Sequence, residues 1–311
     1  MVNFKSALIT GANGNLGRLL AQKLSKAGID VICFDLAETE LNDKSNFKKI
    51  FLGDIRDQDL LKNIIEDHCP QAVFHLASLL SGSSEKDLDQ AWHVNATSSI
   101  NLMKVANANK VSMFFFASTI ATYGSNTNNP LPEDYPQWPE NFYGVTKLAV
   151  ERFGIYLKQN YGFDFRCLRF PMVLSPFAPL SAKTAYPSHA IRAAKNREIF
   201  HFPVAKKTGM SCMFIDDVIS SILGITFSKH KLIKKHVYNL HGFHFTAQEL
   251  GDRLKQLFPS FKYSFDADPQ IDNLIKGWPN VVVSSSAKSD WNWSPKFDFE
   301  KSIKAMIESI K

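Results

Sequence analysis

The stretch Lys5-Ser-Ala-Leu-Ile-Thr-Gly11-Ala-Asn-Gly14-Asn-Leu-Gly17 joins two different hydrophobic patterns near the start of the chain. Its first part, Lys5–Thr10, is a short apolar run that predicts a buried β-strand, and the residues after Gly17 follow a helical pattern through Leu24. Glycine tolerates positive φ and leaves room for a ligand to approach the backbone closely. Three glycines between a strand and a helix therefore predict a loop that holds a phosphate group at the helix N-terminus.

The acidic residue that ends the second predicted strand supports a dinucleotide site. Val31–Phe34 is apolar and is followed by Asp35, which lies about 20 residues after the glycines. The Asp35 carboxylate would accept hydrogen bonds from the adenosine ribose hydroxyls, and its negative charge would repel a 2′-phosphate. We therefore expect NAD, rather than NADP, as the cofactor.

Apolar runs alternate with amphipathic stretches through the first half of the chain. Most of these runs are continuous rather than alternating, which is typical of parallel strands covered by helices on both faces. Four further strands are predicted at Phe47–Leu52, Ala72–Leu76, Met113–Phe116 and Asp164–Leu168. The sequence predicts an α/β fold, a doubly wound parallel sheet (Rossmann) with a smaller mixed substrate-binding domain.

Two domains are expected along the chain. The NAD-binding Rossmann domain would comprise residues 1–170 and a returning segment at about 206–241, and a smaller substrate-binding lid domain would comprise 171–205 and 242–311. The active site would lie in the cleft between them, at the carboxyl ends of the strands.

The composition is that of an ordinary globular protein. The 311 residues are 45% hydrophobic and 21% charged, with a formal net charge of +6. The basic residues are scattered and form no stripe interleaved with aromatic residues, so no nucleic-acid binding is expected. There is no signal-peptide pattern and no apolar run that approaches about 18 residues. We expect no membrane association, a cytoplasmic location and a small-molecule substrate.

The four cysteines predict no disulfide framework. Cys33, Cys69, Cys167 and Cys212 are scattered and include no C-x-x-C pair. Cys33 and Cys167 lie in apolar runs, where a buried thiol is expected. This pattern fits a reducing compartment.

The second informative stretch is Tyr143-Gly-Val-Thr-Lys147. Residues at i and i+4 share one face of a helix, so both side chains would point into the same space. A free tyrosine has a pKa of about 10, and a nearby ammonium group would lower that pKa. A tyrosine tuned in this way exchanges a proton with an alcohol or a carbonyl. By itself, a tyrosine and a lysine at this spacing more often lie on a solvated helix face than in a catalytic site. The other motifs of the sequence decide between these two interpretations.

The glycine spacing Gly-x-x-Gly-x-x-Gly resembles that of the extended short-chain dehydrogenases/reductases, the NAD-dependent epimerase/dehydratase family. Further motifs follow in the order of that family along the whole chain. Gly53-Asp54-Ile55 resembles its adenine-contacting turn, and His75-Leu76-Ala77-Ser78 resembles the segment beside the cofactor ribose. Ala117–Gly124 resembles the stretch that carries the catalytic hydroxyl.

The resemblance implies a role for each residue of the site. Thr119 would hydrogen-bond the reacting oxygen, Tyr143 would exchange the proton, and Lys147 would lower the tyrosine pKa and hold the nicotinamide ribose. Ser118 is the alternative to Thr119 as the catalytic hydroxyl. The implied cofactor-binding residues are Gly11, Asn13, Gly14, Asn15, Leu16, Gly17, Asp35, Leu36, Asp54, Ile55, Leu76, Ala77, Ser78, Asn95, Ser118, Tyr143, Lys147 and Pro171.

Two regions resemble the short-chain L-threonine 3-dehydrogenases within that family. They are His75–Asn95 and the C-terminal third, in which Gly277–Pro279 and Asp290–Phe297 resemble the closing segments of the group. The implied reaction is oxidation of the 3-hydroxyl of L-threonine with reduction of NAD⁺. The candidate substrate-binding residues are Ser81, Thr119, Tyr143, Thr184 and Trp278, and a core position fits Trp278 equally well.

The segment Ser175–Tyr186 departs from that group, because it lacks the glycines and the aspartate that the group carries near the substrate. An ammonium group buried without a partner is costly. Both L-threonine and a related 3-hydroxy acid therefore remain candidate substrates. Lys183 either favours an acid or phosphate substrate or is a solvated loop side chain.

Two other functions are considered. Nucleotide-sugar epimerases on this scaffold usually hold the diphosphate with an asparagine after the sixth strand and with an arginine ahead of an Asp-Asp-Val segment. Here Met172 follows Arg169, and no arginine lies near Met210, so the dehydrogenase is preferred. Non-catalytic NAD-binding relatives usually lose the tyrosine or the lysine, whereas both are present here.

The remaining clusters predict structural roles. Asp216 and Asp217 are expected to cap a helix that opens with Val218. His241 and His244 have no third ligand at metal-like spacing, so no metal site is expected. The helices around 91–107 and 143–160 carry apolar residues on more than one face, and the family resemblance implies that they form the interface of a C2 homodimer.

Overall fold

A computed structural model describes residues 4–37, 47–125 and 127–310 of the chain. The strands are β1 (Ser6–Thr10), β2 (Asp30–Asp35), β3 (Lys49–Leu52), β4 (Ala72–His75), β5 (Met113–Thr119), β6 (Phe165–Phe170), β7 (Met172–Leu174), β8 (Phe200–Phe202), β9 (Gly209–Phe214), β10 (Val237–Asn239), β11 (Phe243–Thr246) and β12 (Tyr263–Phe265). The α-helices are α1 (Gly17–Lys26), α2 (Gln58–His68), α3 (Ser81–Ser84), α4 (Leu88–Ala91), α5 (Ser98–Ala108), α6 (Phe142–Tyr161), α7 (Tyr186–Lys195), α8 (Ile215–Phe227), α9 (Ala247–Leu257), α10 (Pro269–Lys276), α11 (Ser285–Trp291) and α12 (Phe299–Ser309). A π-helical segment spans Trp92–Thr97, and 3₁₀ turns span Ile120–Thr122, Lys183–Ala185 and His230–Leu232.

Seven strands form the central sheet in the order β10-β6-β5-β4-β1-β2-β3, and each neighbouring pair is parallel. Side chains alternate between its two faces. Ile9 points into a core that includes residues of α1 and α8, whereas Leu8 points into a core that includes residues of α2, α5 and α6. Helices therefore cover both faces, and the predicted doubly wound α/β fold is confirmed.

Two smaller sheets complete the fold. β11, β9 and β7 form a mixed sheet, in which β9 pairs antiparallel with β11 and parallel with β7. β12 and β8 form a parallel pair. Within the returning segment at 206–241, β10 joins the central sheet while β9 joins the mixed sheet. The division into an NAD-binding and a lid domain at the stated boundaries stays a prediction.

The predicted strands and buried thiols are found, with small differences. The strand expected at Met113–Phe116 continues to Thr119, which places the candidate hydroxyls at its end. Cys33 and Cys167 are buried as expected. In the part of the chain described, no helix is both long enough and apolar enough to cross a membrane.

The expectation that Asp216 and Asp217 cap a helix opening at Val218 is wrong. Helix α8 begins at Ile215, and both aspartates lie in its first turn. The Asp217 carboxylate accepts the backbone N–H groups of Lys296 (3.0 Å) and Phe297 (2.9 Å). Asp217 therefore fastens the C-terminal segment to the start of α8, a contact across about 80 residues that a local capping rule does not predict.

A buried ion pair joins the carboxyl ends of the central strands to α6. Glu151 is fully buried, and its carboxylate accepts hydrogen bonds from Arg169 Nε (2.9 Å), from Arg169 Nη2 (2.7 Å) and from the Ser118 hydroxyl. The Nη1 group of Arg169 donates to the Tyr123 hydroxyl (2.6 Å) and to Asn239 Oδ1 (3.3 Å). β5, β6, β10 and α6 are therefore held together by one polar cluster.

Replacement of Arg169 by methionine should lower the free energy of unfolding by about 3–5 kcal/mol, because the Glu151 carboxylate would stay buried without its charged partner. Arg253→Met is the matched control, since Arg253 contacts Glu300 at 2.6 Å on the surface, with 32% and 56% of the two side chains exposed. Loss of this exposed ion pair should lower the free energy of unfolding by about 1 kcal/mol or less. Urea unfolding followed by circular dichroism measures both variants, and equal effects would contradict the structural role of the buried pair.

Candidate active site

The glycine loop is shaped by two close contacts. Gly11 has φ of +72°, and a Cβ atom there would lie 2.7 Å from the backbone nitrogen of Ala77. A Cβ atom on Gly17 would lie 2.0 Å from the carbonyl oxygen of Gly11. Only glycine fits these positions, so the loop closes on itself and against the segment that follows β4.

Strand β2 holds this loop from its other side. The backbone N–H groups of Gly11 and Ala12 both donate to the Phe34 carbonyl, at 2.9 and 3.2 Å. The next residue, Asp35, accepts the backbone N–H of Asn13 at 2.7 Å. The carboxylate predicted to bind the ribose therefore also fixes the conformation of the phosphate loop.

Two adjoining cavities extend from this loop along the carboxyl ends of the strands. The cavity beside Asp35 has a volume of about 360 Å³, and the cavity beside Tyr143 has a volume of about 340 Å³. They share Gly11, Gly14, Leu76 and Ser78 as lining residues. An elongated dinucleotide fits such an arrangement, because the glycine backbone leaves room for a pyrophosphate where the two cavities meet.

Apart from Asn95, every residue predicted to bind the cofactor lines one of these cavities. The cavity beside Asp35 is lined by Gly11, Asn13, Gly14, Asp35, Leu36, Asp54, Ile55, Leu76, Ala77 and Ser78. The cavity beside Tyr143 is lined by Gly11, Gly14, Asn15, Leu16, Gly17, Leu76, Ser78, Ser118, Tyr143, Lys147 and Pro171. Their roles in binding stay predictions.

Asn95 lies beneath the cavities and is almost fully buried. Its Oδ1 atom accepts the backbone N–H of Leu79 (2.8 Å) and the Ser78 hydroxyl (3.1 Å). Its Nδ2 atom donates to the Leu79 carbonyl (3.1 Å) and to the Thr146 hydroxyl (3.3 Å). Asn95 therefore positions the loop after β4 against α6, and its role in cofactor binding stays a prediction.

Arg56 lines the Asp35 cavity and is not among the residues predicted from the sequence. Its side chain donates to both carboxylate oxygens of Asp54, at 3.0 and 2.6 Å. These hydrogen bonds lower the pKa of Asp54. The sequence Asp54-Ile-Arg56 contains this pair, but the spacing by itself does not show that both side chains turn toward the same cavity.

The catalytic candidates are brought together by the junction of β5 and α6. Thr119 ends β5, and its hydroxyl accepts the N–H of Ala121 at 3.1 Å. Asn141 caps α6 by accepting the N–H of Gly144 at 2.7 Å, and its amide group donates to the Ala121 carbonyl at 3.4 Å. A Cβ atom on Gly144 would lie 2.3 Å from that carbonyl oxygen. The glycine thus lets the turn that carries Tyr143 rest directly on the turn that follows Thr119.

Thr119, Tyr143 and Lys147 line the same cavity, as the sequence motif predicts. The Lys147 ammonium donates to the Ala117 carbonyl at 3.1 Å and lies 5.5 Å from the centre of the Tyr143 ring. Burial lowers the pKa of Lys147 to about 8, although Cys167 and Glu151 act in the opposite direction. Lysine and tyrosine therefore share one desolvated space.

The expected lowering of the Tyr143 pKa is not found in this arrangement. Burial raises the pKa of Tyr143 to about 12, and a hydrogen bond with Ser78 opposes the rise only in part. The physical reason is that removal of water destabilises the phenolate more than the nearby polar groups stabilise it. The phenol is therefore the prevailing form of Tyr143 at neutral pH.

The hydroxyl groups of Ser118 and Thr119 have different hydrogen-bond partners. The Ser118 hydroxyl donates to the buried Glu151 carboxylate, whereas the Thr119 hydroxyl accepts only a backbone N–H among the hydrogen bonds described. The hydroxyl proton of Thr119 is thus available to a ligand oxygen. This difference favours Thr119 over Ser118 as the hydroxyl that would contact the reacting oxygen.

The three remaining substrate candidates, Ser81, Thr184 and Trp278, line the cavity that holds Tyr143. Lys183 does not contribute to it, because its side chain is 71% exposed and lies 3.5 Å from Asp268. Lys183 is therefore a solvated loop residue. The site residues predicted from the sequence do not include the apolar side chains that line much of this cavity, which are Leu80, Ile120, Phe170, Met172, Val173, Ala178, Pro179, Ala182 and Ala185.

The loop after β7 is fastened to the glycine loop by two contacts that no motif predicts. The Ser175 hydroxyl donates to Asn15 Oδ1 at 2.5 Å. The guanidinium of Arg18 lies 5.1 Å from the centre of the Phe177 ring, within cation–π range. The wall of the Tyr143 cavity is therefore attached directly to the predicted phosphate loop.

No group of three or more His, Cys, Asp or Glu side chains suited to a metal ion occurs within residues 4–37, 47–125 and 127–310. His241 instead shares a hydrogen bond of 2.6 Å with the Ser211 hydroxyl. Burial lowers the pKa of His241 to about 4, so its ring is neutral at physiological pH.

Solved structures similar to the chain include L-threonine dehydrogenases and a UDP-glucose 4-epimerase. The L-threonine dehydrogenase of Clostridium difficile is 30% identical with a TM-score of 0.92, and the match covers 99% of this chain and 98% of that one. The L-threonine 3-dehydrogenase of Trypanosoma brucei is 26% identical with a TM-score of 0.91, over 98% of this chain and 96% of that one. The UDP-glucose 4-epimerase of Thermotoga maritima is 23% identical with a TM-score of 0.87, over 97% of each chain, and shows the shared fold.

Sequence comparison agrees with this relationship. An uncharacterized epimerase/dehydratase of Staphylococcus saprophyticus is 29% identical over 312 residues, which cover 99% of this chain and 97% of the relative. The profile of the NAD dependent epimerase/dehydratase family matches residues 7–240. The resemblance identified from the glycine spacing and the later motifs is confirmed, and the chain belongs to the NAD dependent epimerase/dehydratase family of enzymes, which use a nicotinamide cofactor.

Proposed function

We propose that the protein is an NAD-dependent dehydrogenase that oxidises a secondary alcohol, with the 3-hydroxyl of L-threonine or of a related 3-hydroxy acid as the reacting group. The observation that carries this proposal is that Thr119, Tyr143 and Lys147 line one cavity, which adjoins the glycine loop. Similarity to L-threonine dehydrogenases over nearly the whole chain supports the class of substrate.

The proton-transfer residues follow from this geometry. The Thr119 hydroxyl would donate a hydrogen bond to the substrate oxygen, and the Tyr143 phenolate would accept the proton of the substrate hydroxyl. The Lys147 ammonium would stabilise that phenolate electrostatically. Acceptance of the hydride from the alcohol carbon is the chemistry that the nicotinamide supplies when it is bound. In the reverse direction the Tyr143 phenol would return its proton to the carbonyl oxygen.

Asp35 supports NAD as the cofactor of this reaction. Its carboxylate lines the cavity where the adenosine ribose would lie, and a 2′-phosphate there would meet a negative charge. Gly11, Gly14 and Gly17 would hold the pyrophosphate, and Lys147 would hold the nicotinamide ribose.

The nucleotide-sugar epimerase alternative has less support. Among the described residues, no arginine lines the Tyr143 cavity, and Met172 occupies its wall. Arg169, which ends β6, is paired with Glu151 and points into the buried cluster. A nucleotide diphosphate in this cavity would therefore lack a guanidinium partner. A non-catalytic role fits poorly with the retention of Thr119, Tyr143 and Lys147 in one cavity.

A C2 homodimer formed through α5 and α6 stays a prediction. Helix α6 presents the exposed aromatic side chains of Tyr156 and Tyr161, which are 50% and 62% exposed. Such residues are enriched at protein interfaces.

Tyr143→Phe tests the proton-transfer role. The substitution removes the hydroxyl and keeps the ring, so turnover should fall by about 10²–10⁴-fold while NAD binding changes little. Tyr156→Phe, on the exposed side of the same helix, is the matched control and should keep the wild-type rate. NADH formation and calorimetric NAD binding provide the two measurements. Wild-type turnover by Tyr143→Phe would refute the mechanism.

Asp35→Asn tests the choice of cofactor. Loss of the negative charge should weaken NAD binding and reduce the preference for NAD over NADP, because repulsion of the 2′-phosphate disappears. Asp30→Asn changes the same residue type at the opposite end of β2, where Asp30 contacts Lys48 on the surface, and should leave cofactor preference unchanged. The ratio of kcat/KM values for the two cofactors measures the effect, and an unchanged ratio in Asp35→Asn would exclude Asp35 as the ribose partner.

The pH dependence of the reaction should reflect the raised pKa of Tyr143. With that pKa at about 12, the phenolate is scarce at neutral pH, so kcat/KM for alcohol oxidation should rise between pH 6 and pH 8, the range in which Lys147, with a pKa of about 8, keeps at least half of its charge. Reduction of the corresponding ketone needs the phenol and should not rise over the same range. Steady-state rates in buffers of constant ionic strength test both directions, and oxidation that slows with increasing pH would contradict the assignment.

A further inference from the structure

The substrate-facing wall of the Tyr143 cavity carries little charge. It consists mainly of the apolar residues Leu80, Ile120, Met172, Val173, Ala178, Pro179, Ala182 and Ala185. Among the described residues, Lys147 is the only one that lines this cavity with a charged side chain. No aspartate or glutamate of the described chain lines it.

This composition is unfavourable for a substrate that carries an ammonium group. An ammonium removed from water needs an anionic or several polar partners, and without them its burial costs several kcal/mol. Lys147 adds a second positive charge to the same enclosed space and would repel it. Asp268 lies near the segment 175–186 but outside the cavity. Its carboxylate contacts the ammonium group of the exposed Lys183 at 3.5 Å.

The polar side chains on this wall are able to donate hydrogen bonds, so they suit a substrate that carries a hydrogen-bond acceptor. The indole Nε1 atom of Trp278 is buried and has no hydrogen-bond acceptor among the described residues, although Trp278 lines the cavity. An indole N–H is a donor only, so it is satisfied by an oxygen atom rather than by an ammonium group. The hydroxyls of Ser81 and Thr184 line the same cavity and are able to donate as well.

Building on the proposed dehydrogenase function, we infer that the substrate is a short 3-hydroxy carboxylic acid without an ammonium group at carbon 2. The carboxylate accepts the Trp278 N–H together with the hydroxyls of Thr184 or Ser81, and the Lys147 charge favours the anion. The carbon-2 position, with hydrogen or a methyl group, faces the apolar wall. Oxidation would break the C3–H bond with transfer of a hydride to NAD⁺, and the Tyr143 phenolate would accept the hydroxyl proton, which yields the 3-oxo acid, NADH and the Tyr143 phenol.

Three matched substrates test this selectivity with the wild-type enzyme. L-Threonine, (R)-3-hydroxybutyrate and 3-hydroxy-2-methylbutyrate differ at carbon 2 in carrying an ammonium, a hydrogen or a methyl group. We expect kcat/KM for either hydroxy acid to exceed that for L-threonine by about 10-fold or more, since loss of one charged hydrogen-bond partner has at least this effect. If kcat/KM for L-threonine equalled or exceeded that for both acids, the inference would be overturned and the proposed dehydrogenase function would still hold. Failure of all three, and of a wider panel of secondary alcohols, would refute the proposed function itself.

Trp278→Phe tests the carboxylate contact separately. It removes the N–H and keeps an aromatic ring, so KM for (R)-3-hydroxybutyrate should rise about 10-fold with little change in NAD affinity. Trp291→Phe is the matched control, because its indole Nε1 is also buried without an acceptor in the described chain but lies outside the cavity. Circular dichroism confirms that both variants are folded. An unchanged KM in Trp278→Phe, or an equal rise in Trp291→Phe, would overturn the assignment.

Discussion

The buried carboxylate of Glu151 is the constraint on which the active-site end of the sheet depends. A charge removed from water is tolerated only when every oxygen has a good partner, and here Arg169 contacts both oxygens while Ser118 and Gln137 supply further hydrogen bonds. These partners come from the end of β5, the end of β6 and the segment before α6. Because Glu151 lies one helical turn after Lys147, the same cluster that joins the strands also attaches the part of α6 that carries Lys147 to them.

Desolvation then acts in opposite directions on the two titratable groups that line this space. It raises the pKa of Tyr143 and lowers that of Lys147, since both groups prefer their neutral forms away from water. The two pKa values, which nearly match in solution, are thereby moved apart, so the form that prevails at neutral pH is a buried phenol beside an ammonium group. His75, beneath the site, is buried between Thr10 and Ser99 at 2.7 Å from each, and burial lowers its pKa to about 3. It supplies hydrogen bonds without adding charge.

The central strands, the glycine loop and the shared helix face of Tyr143 and Lys147 could be predicted from the sequence, because each depends on residues that are close in the chain. Periodicity identifies a buried strand, and a four-residue spacing places Tyr143 and Lys147 on one helix face. The missed features depend on contacts between distant segments. The Asp217 contact with Lys296 and the position of Asn95 under the Leu79 backbone are examples. The expected lowering of the Tyr143 pKa failed for a related reason, since desolvation depends on the whole surrounding fold.

The attachment of Ser175 to Asn15, with Arg18 over Phe177, divides the substrate loop into two parts. The first part is attached to the glycine loop by these two contacts. The second part, residues 178–185, begins after that anchor and forms much of the apolar wall. Among the residues of the second part, Ala178, Pro179, Ala182 and Ala185 line the cavity with apolar side chains. The residues that give this wall its apolar character are therefore confined to one short stretch of chain, separate from the contacts with the glycine loop.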